Sequence, residues 1–313
     1  GNTIWLAFLI SAIVALFTGL SYAELSSVFP EDAAEYVYTK KPFGKMLAFL
    51  IGYLVIFSAI ISSGTVATGF AGYFSRLFHG DNIVLISIGV IVVFTILNYL
   101  SVKMSSWTNV LFTSLEMFGL FLIVVLGIFH IGDVSYVEMP NGFGGVLQAS
   151  AFVFFAFIGF ESVVKLSEEV KNPTKTIPQA LILSILITTV LYIAVAIASV
   201  SILDWHILAA SKAPLADVAA SVLGNNALIA LSLIALFSTA NTVLIGLYAG
   251  SRALYGISDE FKLLAPFRKI HKKTRTPYYA LFAIMVFSSL FCLLGDVGIV
   301  AQLTNFTLFI TFA

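Results

Sequence analysis

Apolar runs long enough to cross a membrane recur along the whole chain, and they restrict its fold more than any other feature. A membrane-spanning helix needs about 20 mostly apolar residues. Only 10% of the 313 residues are charged, whereas a soluble domain carries about 25%. The sequence therefore predicts an all-α integral membrane protein. The runs lie at 4–28, 44–78, 82–101, 107–131, 145–170, 177–202, 226–257 and 278–295, and a ninth begins near 298 and is still apolar at Ala313.

The polar residues argue against several classes of function. Lys plus Arg equals Asp plus Glu at 16 each, so the net charge favours no nucleic-acid partner. Cys292 is the only cysteine, which excludes a disulfide within the chain and a Cys/His metal cluster. The sequence contains no HExxH, GxSxG or GxxxxGK motif. We therefore expect no enzyme active site, no cofactor and no metal.

The distribution of positive charge predicts which loops face the cytoplasm. Fourteen of the sixteen Lys and Arg residues fall in alternate loops between the runs, and cytoplasmic loops carry such an excess. This orientation puts Gly1 outside, directly against an apolar run. Because both chain ends border apolar runs, we expect at least one further helix upstream of Gly1. The predicted cytoplasmic loops lie near 29–45, 101–106, 165–176 and 252–277.

The connection at 203–226 is long, partly amphipathic and external under this orientation. It predicts a short surface helix or a lid over the outer face. An ordinary solvated loop is an equally good interpretation.

The run at 145–170 is interrupted by the stretch FIGFE, which contains Gly159 and Glu161. Glycine weakens a helix, and an ionised carboxylate at membrane depth is costly unless it is paired or hydrated. We expect a broken helix, 145–157 and 162–170, whose unwound backbone faces a binding cavity. In the alternative interpretation, Gly159 packs closely against a neighbouring helix and Glu161 reaches the inner face.

A second acid and a polar cluster lie in other apolar runs. Glu116 has no cation within four residues on its own helix, so it either titrates during a transport cycle or is protonated and inert. Ser238, Thr239, Asn241 and Thr242 place hydroxyls and an amide on adjacent helix faces. They can coordinate a cation, or they can form hydrogen bonds between packed helices.

Four stretches resemble the amino acid–polyamine–organocation superfamily of permeases, in the style of its cationic amino acid transporters. FFAFIGFESVVKLSEEVKNPTKTIPQA resembles the sixth helix of that family and the following loop. FTGLSYAELSSVFPEDAAEYVYTKKPFG resembles the second helix and its loop. LFSTANTVLIGLYAGSRALYGISDE resembles the eighth helix, and RTPYYALF resembles the start of the ninth. The motifs occur in the family order, and the similarity covers essentially the whole chain.

The resemblance implies a LeuT-type bundle of two inverted repeats, with broken first and sixth helices around a central site. The chain then corresponds to helices 2 to 10 and forms one transporter domain. It holds the remainder of the first repeat at 1–131 and a truncated second repeat at 144–313. The Gly-rich first helix of the family, which helps to bind the substrate carboxylate, and the last two helices are not in this chain.

The resemblance also implies the function, a secondary active transporter of amino acids or related amines in the plasma membrane. Its expected partners are the substrate, the bilayer and a coupling ion, either a proton or sodium. A transporter-like sensor or scaffold without transport is the alternative. The implied substrate-binding residues are Phe157, Ile158, Gly159, Phe160, Glu161 and Ser162.

The expected coupling residues are Glu116, Ser238 and Thr239. Proton-coupled family members often carry Lys where this chain has Glu116, close to where Ser238 and Thr239 are expected. Because the position is acidic here, neither proton nor sodium coupling transfers directly, and uncoupled exchange remains an alternative.

Overall fold

The computed structural model describes residues 1–29, 34–78, 80, 82–100, 102–211, 213–258, 261–293 and 297–312. Within these ranges the structure describes the backbone but not the side chains of residues 76, 102–106, 165–169 and 297–301. The described residues form helices and their connections, without a strand. Seven of the described helical stretches are long and apolar enough to cross a membrane. The predicted all-α membrane class is therefore confirmed.

Twelve α-helices and three 3-10 segments make up the described chain. The helices are α1 Ile4–Val28, α2 Ala34–Phe43, α3 Lys45–Phe78, α4 Ile83–Leu100, α5 Val102–Ile128, α6 Gly142–Val153, α7 Pro173–Ile202, α8 Trp205–Ala210, α9 Pro214–Leu223, α10 Asn225–Ser258, α11 Tyr278–Cys292 and α12 Val297–Phe312. The 3-10 segments are Phe154–Phe157, Phe160–Glu169 and Lys262–Arg268.

Most of the apolar runs match a single helix, with differences at their ends. The run predicted at 177–202 begins earlier, because Pro173 occupies the first turn of α7, where its missing N–H is not needed. The run at 278–295 gives a shorter helix, α11, whose 15 residues are below the usual length of a spanning helix.

Small residues bring the helices into close contact. A Cβ added to Gly127 of α5 would lie 2.2 Å from Ala198 Cβ of α7, and one added to Gly19 of α1 would lie 2.3 Å from Ile185 Cδ1. On α11, Ser288 Oγ donates to the Ile60 carbonyl of α3 at 3.0 Å. Apolar contact gives little net attraction between helices in lipid, so close backbone approach and interhelical hydrogen bonds stabilise the packing.

Three buried clusters divide the bundle. The largest joins α3, α4, α10 and α11. The second packs α1 and α7 around the interrupted helix, and the third joins α5, α7, α9 and α10. The interrupted helix is therefore held on the side of α1 and α7, away from the largest cluster.

The connection at 203–226 contains two short helices, α8 and α9, so it is not an ordinary irregular loop throughout. Asp204 begins α8 by accepting a hydrogen bond from the His206 backbone N–H at 2.8 Å. Within the predicted cytoplasmic loops, residues 30–33, 101 and 259–260 lie outside the described residues. The sidedness of the loops and the division into repeats at 1–131 and 144–313 stay predictions.

Candidate substrate and coupling site

The fifth apolar run, at 145–170, is broken where the sequence predicts it. The α-helix ends at Val153, a 3-10 turn covers Phe154–Phe157, Ile158 has φ −59° and ψ 134°, and Gly159 has φ +123°. A side chain rarely tolerates that φ, whereas a Cβ at Gly159 would meet nothing within 4 Å. The break is confirmed, and the close-packing interpretation of Gly159 is wrong. Regular α-helix ends four residues before the predicted boundary, because both flanks tighten into 3-10 turns.

Two side chains satisfy backbone groups at the break. Glu161 Oε2 accepts a hydrogen bond from the Gly159 N–H at 2.8 Å. Tyr192 Oη of α7 donates to the Ala156 carbonyl at 3.1 Å. Glu161 is only 7% exposed, so its carboxyl lies within the protein and does not reach the inner face. Unwound backbone in a membrane protein needs such partners or a polar cavity.

The side chains around the break point in different directions. Phe157 and Phe160 are buried, with ring centroids 5.4 Å from Tyr192 and 6.0 Å from Tyr22 respectively. Ile158 and Ser162 are half-buried, and Gly159 is exposed. The two aromatic rings thus hold the segment against α1 and α7. What the segment leaves open is backbone at Gly159.

A large cavity of about 750 Å³ lies beside the break. Phe152, Val153 and Ala156 form one wall, and the short helices α8 and α9 contribute Trp205 and Leu215. Both helices line the cavity, which favours the lid interpretation of 203–226. None of the residues predicted at 157–162 is among the cavity-lining residues, since the α6 side of the break forms the wall. The polar lining side chains from the membrane helices are Glu116, Tyr192 and Ser199.

Glu116, Ser238 and Thr239 meet in the structure. All three line a smaller cavity of about 150 Å³ between α5 and α10, where the Ser238 hydroxyl lies beside the Glu116 carboxyl. Thr239 Oγ1 donates to the Ala235 carbonyl of its own helix at 2.7 Å. Because Glu116 lines the large cavity as well, one carboxyl borders both spaces.

Two other polar residues of α10 form hydrogen bonds. Asn241 Nδ2 donates to Asn109 Oδ1 of α5 at 2.8 Å, a hydrogen bond between helices. Thr242 Oγ1 donates to the Ser238 carbonyl at 3.1 Å. The helix-packing interpretation is therefore the better one for Asn241, whereas the hydroxyl of the exposed Thr242 bonds within its own helix.

Sequence reasoning missed Tyr192 and Ser199. The Ser199 hydroxyl is buried without a hydrogen-bonding partner in the described structure, and it lines the large cavity. Both residues lie in an otherwise apolar stretch of α7. A polar side chain within such a stretch is the signal by which the sequence could have pointed to Tyr192 and Ser199. Their relation to the break depends on how α7 packs against it.

Comparison with known proteins places this arrangement in a family. The family model described as amino acid permease matches residues 1–313. The chain belongs to the amino acid permease family. The branched-chain amino acid permease BcaP of Bacillus subtilis is a relative of this permease-family chain, 28% identical over 97% of it and 70% of the relative. So are the methylthioribose transporter of Bacillus subtilis and cationic amino acid transporter 4 of Mus musculus. The methylthioribose transporter is 28% identical over 89% of this chain and 64% of its own length. The cationic amino acid transporter is 26% identical over 96% of this chain and 51% of its own length.

The permease-family chain therefore spans between about half and 70% of the lengths of these relatives. It combines a broken helix beside a cavity with a carboxyl, that of Glu116, in the wall of the same cavity. Such an arrangement can hold a small zwitterion or amine, because unwound backbone binds polar groups and a carboxyl attracts a cation.

Proposed function

We propose that this protein is a secondary active transporter of amino acids or related amines, which holds its substrate in the large cavity and works by alternating access. The observation that carries the proposal is the break at Gly159, which opens the backbone beside a cavity of about 750 Å³. Discontinuous helices at the centre of transporters bind substrates through such backbone groups.

The substrate-binding segment in this proposal is Phe157 to Ser162, acting through its backbone, which follows directly on the cavity-lining residue Ala156. The Gly159 N–H donates to the Glu161 carboxylate, and the carboxylate of an amino acid can form the same hydrogen bond. In this proposal a substrate carboxylate leaves the cavity at Ala156 and competes with Glu161 for this N–H. The substrate amine lies towards Glu116, the charged side chain of the cavity wall.

The coupling group in this proposal is Glu116 with Ser238 and Thr239. A carboxyl between two cavities can bind a proton, or it can hold a cation with the hydroxyl oxygens as further ligands. Either form links ion binding to the occupancy of the substrate cavity. The membrane in question is the plasma membrane, with the basic loops in the cytoplasm.

The substrate class follows from the relatives and the cavity wall. The names of the relatives refer to branched-chain amino acids, cationic amino acids and methylthioribose. The cavity is mainly apolar, and Glu116 is the only charged side chain among its described lining residues. This wall favours substrates that carry an amine and an apolar body.

Counterflow in proteoliposomes tests the proposal. The full-length protein is reconstituted, loaded with unlabelled amino acids and supplied with labelled leucine or lysine outside. We expect label to accumulate transiently in wild-type vesicles and in the control Gly144→Ala, but not with Gly159→Ala. Saturable binding without counterflow would instead support a sensor. Equal counterflow by Gly159→Ala and the wild type would remove the break from the mechanism.

A further inference from the structure

A second groove, distinct from the proposed substrate cavity, lies on the lipid side of the bundle. It encloses about 360 Å³ between α3, α11 and the 3-10 segment Lys262–Arg268. Phe49, Tyr53 and Phe57 contribute one wall at four-residue intervals, which places them on one face of α3. Tyr53 is 53% exposed and Phe287, on the opposite wall, is 52% exposed, so the groove opens sideways.

The opposite wall has the same spacing. Ala283, Phe287 and Phe291 line the groove from α11, and Tyr279 precedes them by one turn on the same face. The described lining residues of the whole groove are apolar apart from the Tyr53 hydroxyl. A dry, elongated groove of this kind matches an alkyl chain better than a polar ligand.

Cations gather at one end of the groove. Lys45 is the first residue of α3, one turn before Phe49. Lys269 Nζ lies 5.3 Å from the ring centroid of Tyr279. Lys262 and Arg268 bound the 3-10 segment that contributes Leu264 and Phe267 to the groove. These cations therefore lie at the start of α3 and in the 3-10 segment and the residue after it, at the end of the groove where α3 and α11 begin.

We propose that this groove binds an anionic phospholipid, with one acyl chain between Tyr53 and Phe287 and its phosphate group at Lys262, Arg268 and Lys269. The apolar walls select a chain, and the cations select the charge. Clusters of Lys and Arg at a membrane surface attract anionic lipids, and their long side chains reach the headgroup layer. The basic end lies where two membrane helices begin, which is the depth of a headgroup.

Lipid binding measured by native mass spectrometry of the full-length protein tests this inference without any transport assay. Phosphatidylglycerol is titrated against phosphatidylcholine of the same chain length. We expect phosphatidylglycerol to be retained roughly tenfold more strongly. The preference should disappear in the triple variant Lys262→Gln, Arg268→Gln, Lys269→Gln.

Two matched controls distinguish the groove from general charge attraction. The triple variant Lys272→Gln, Lys273→Gln, Arg275→Gln removes the same charge from exposed positions of the same loop, and we expect it to keep the preference. Ala283→Phe fills the groove and should reduce retention of both lipids, whereas Val286→Phe, at a 50% exposed site on α11, should not.

Four results would overturn the inference. Three of them are equal losses in the two triple variants, unchanged retention in Ala283→Phe, and no preference between the two lipids in the wild type. A fourth is crosslinking of Tyr53→Cys to a second copy of the chain at every lipid concentration, because the groove would then be a protein interface.

Discussion

At Gly159 the backbone conformation, more than the surrounding space, restricts which residue is acceptable. Its φ of +123° lies where a side chain is strained, although a Cβ would meet nothing within 4 Å. We expect Gly159→Ala to destabilise the break by about 1–3 kcal/mol and to abolish substrate exchange.

Gly144→Ala is the matched control for this change. Gly144 lies inside α6, and a Cβ there also meets nothing within 4 Å, so alanine should stabilise the helix by about 1 kcal/mol. Thermal unfolding and counterflow of the two variants are measured together. Similar midpoints and similar exchange would contradict the role assigned to the φ of Gly159.

A substitution of Glu116 can distinguish a role in ion coupling from a role in packing. Glu116→Gln keeps the shape and a hydrogen-bonding group towards Ser238 but cannot ionise. We expect uptake by this variant to lose its dependence on an imposed pH or sodium gradient, while exchange persists. The measurement is uptake in vesicles with each gradient imposed separately.

Glu24→Gln is the control for Glu116→Gln, because Glu24 is an exposed acid in the membrane helix α1. It should respond to the gradients like the wild type. Gradient dependence that is identical in Glu116→Gln and the wild type would assign Glu116 to packing alone.

Among the elements, α7 determines the position of the broken segment through Tyr192. Tyr192→Phe removes the hydrogen bond to the Ala156 carbonyl and keeps the ring contact with Phe157. The bond contributes about 1 kcal/mol, so we expect substrate affinity to fall roughly fivefold. Affinity is measured as the half-saturating concentration in counterflow.

Tyr255→Phe on α10 is the control, because Tyr255 does not line either cavity. If Tyr192→Phe and Tyr255→Phe were both silent while Gly159→Ala was inactive, the break would be held by its own residues and not by α7.

The short helix α8 depends on an ionised cap. The His206 backbone N–H donates to Asp204, and this bond lowers the pKa of the Asp204 carboxyl below its usual range. A lowered folded-state pKa means that the cap stabilises α8 at neutral pH and is lost only as pH falls through that lower value. We therefore expect amide protection of 205–210 to be unchanged between pH 7 and pH 5.

Hydrogen exchange of the reconstituted protein measures this protection. Asp204→Ala should expose the α8 amides at pH 7, while Asp133→Ala, at an exposed position in the α5–α6 connection, should not. Loss of protection in the wild type between pH 7 and pH 5 would show that another group controls α8.

The orientation of the whole molecule is a further prediction. Cys292 is the only cysteine in this chain and is buried, so introduced cysteines can be labelled selectively after replacement of any others in the full-length protein. We expect an impermeant maleimide to label Asp133→Cys on intact cells, and Lys272→Cys only after permeabilisation. The reverse pattern would contradict the orientation derived from the positive charges.

The residues by themselves determined the class of the protein and the place of its break. Runs of about 20 apolar residues require helices in a membrane. Gly159, two residues before Glu161, is a local signal of the break, because glycine readily adopts a φ of +123°. Glu116 was also recognisable from the local sequence, because it is an acid with apolar neighbours.

Only the tertiary structure decided which groups meet. Tyr192 reaches Ala156, and Glu116 borders two cavities, through contacts between helices that are distant along the chain. The inward direction of Phe157 and Phe160 likewise depends on where α1 and α7 pack. Hydropathy is a local property that leaves the rotation and crossing of helices open, because most faces of a membrane helix are apolar and small residues set the close contacts.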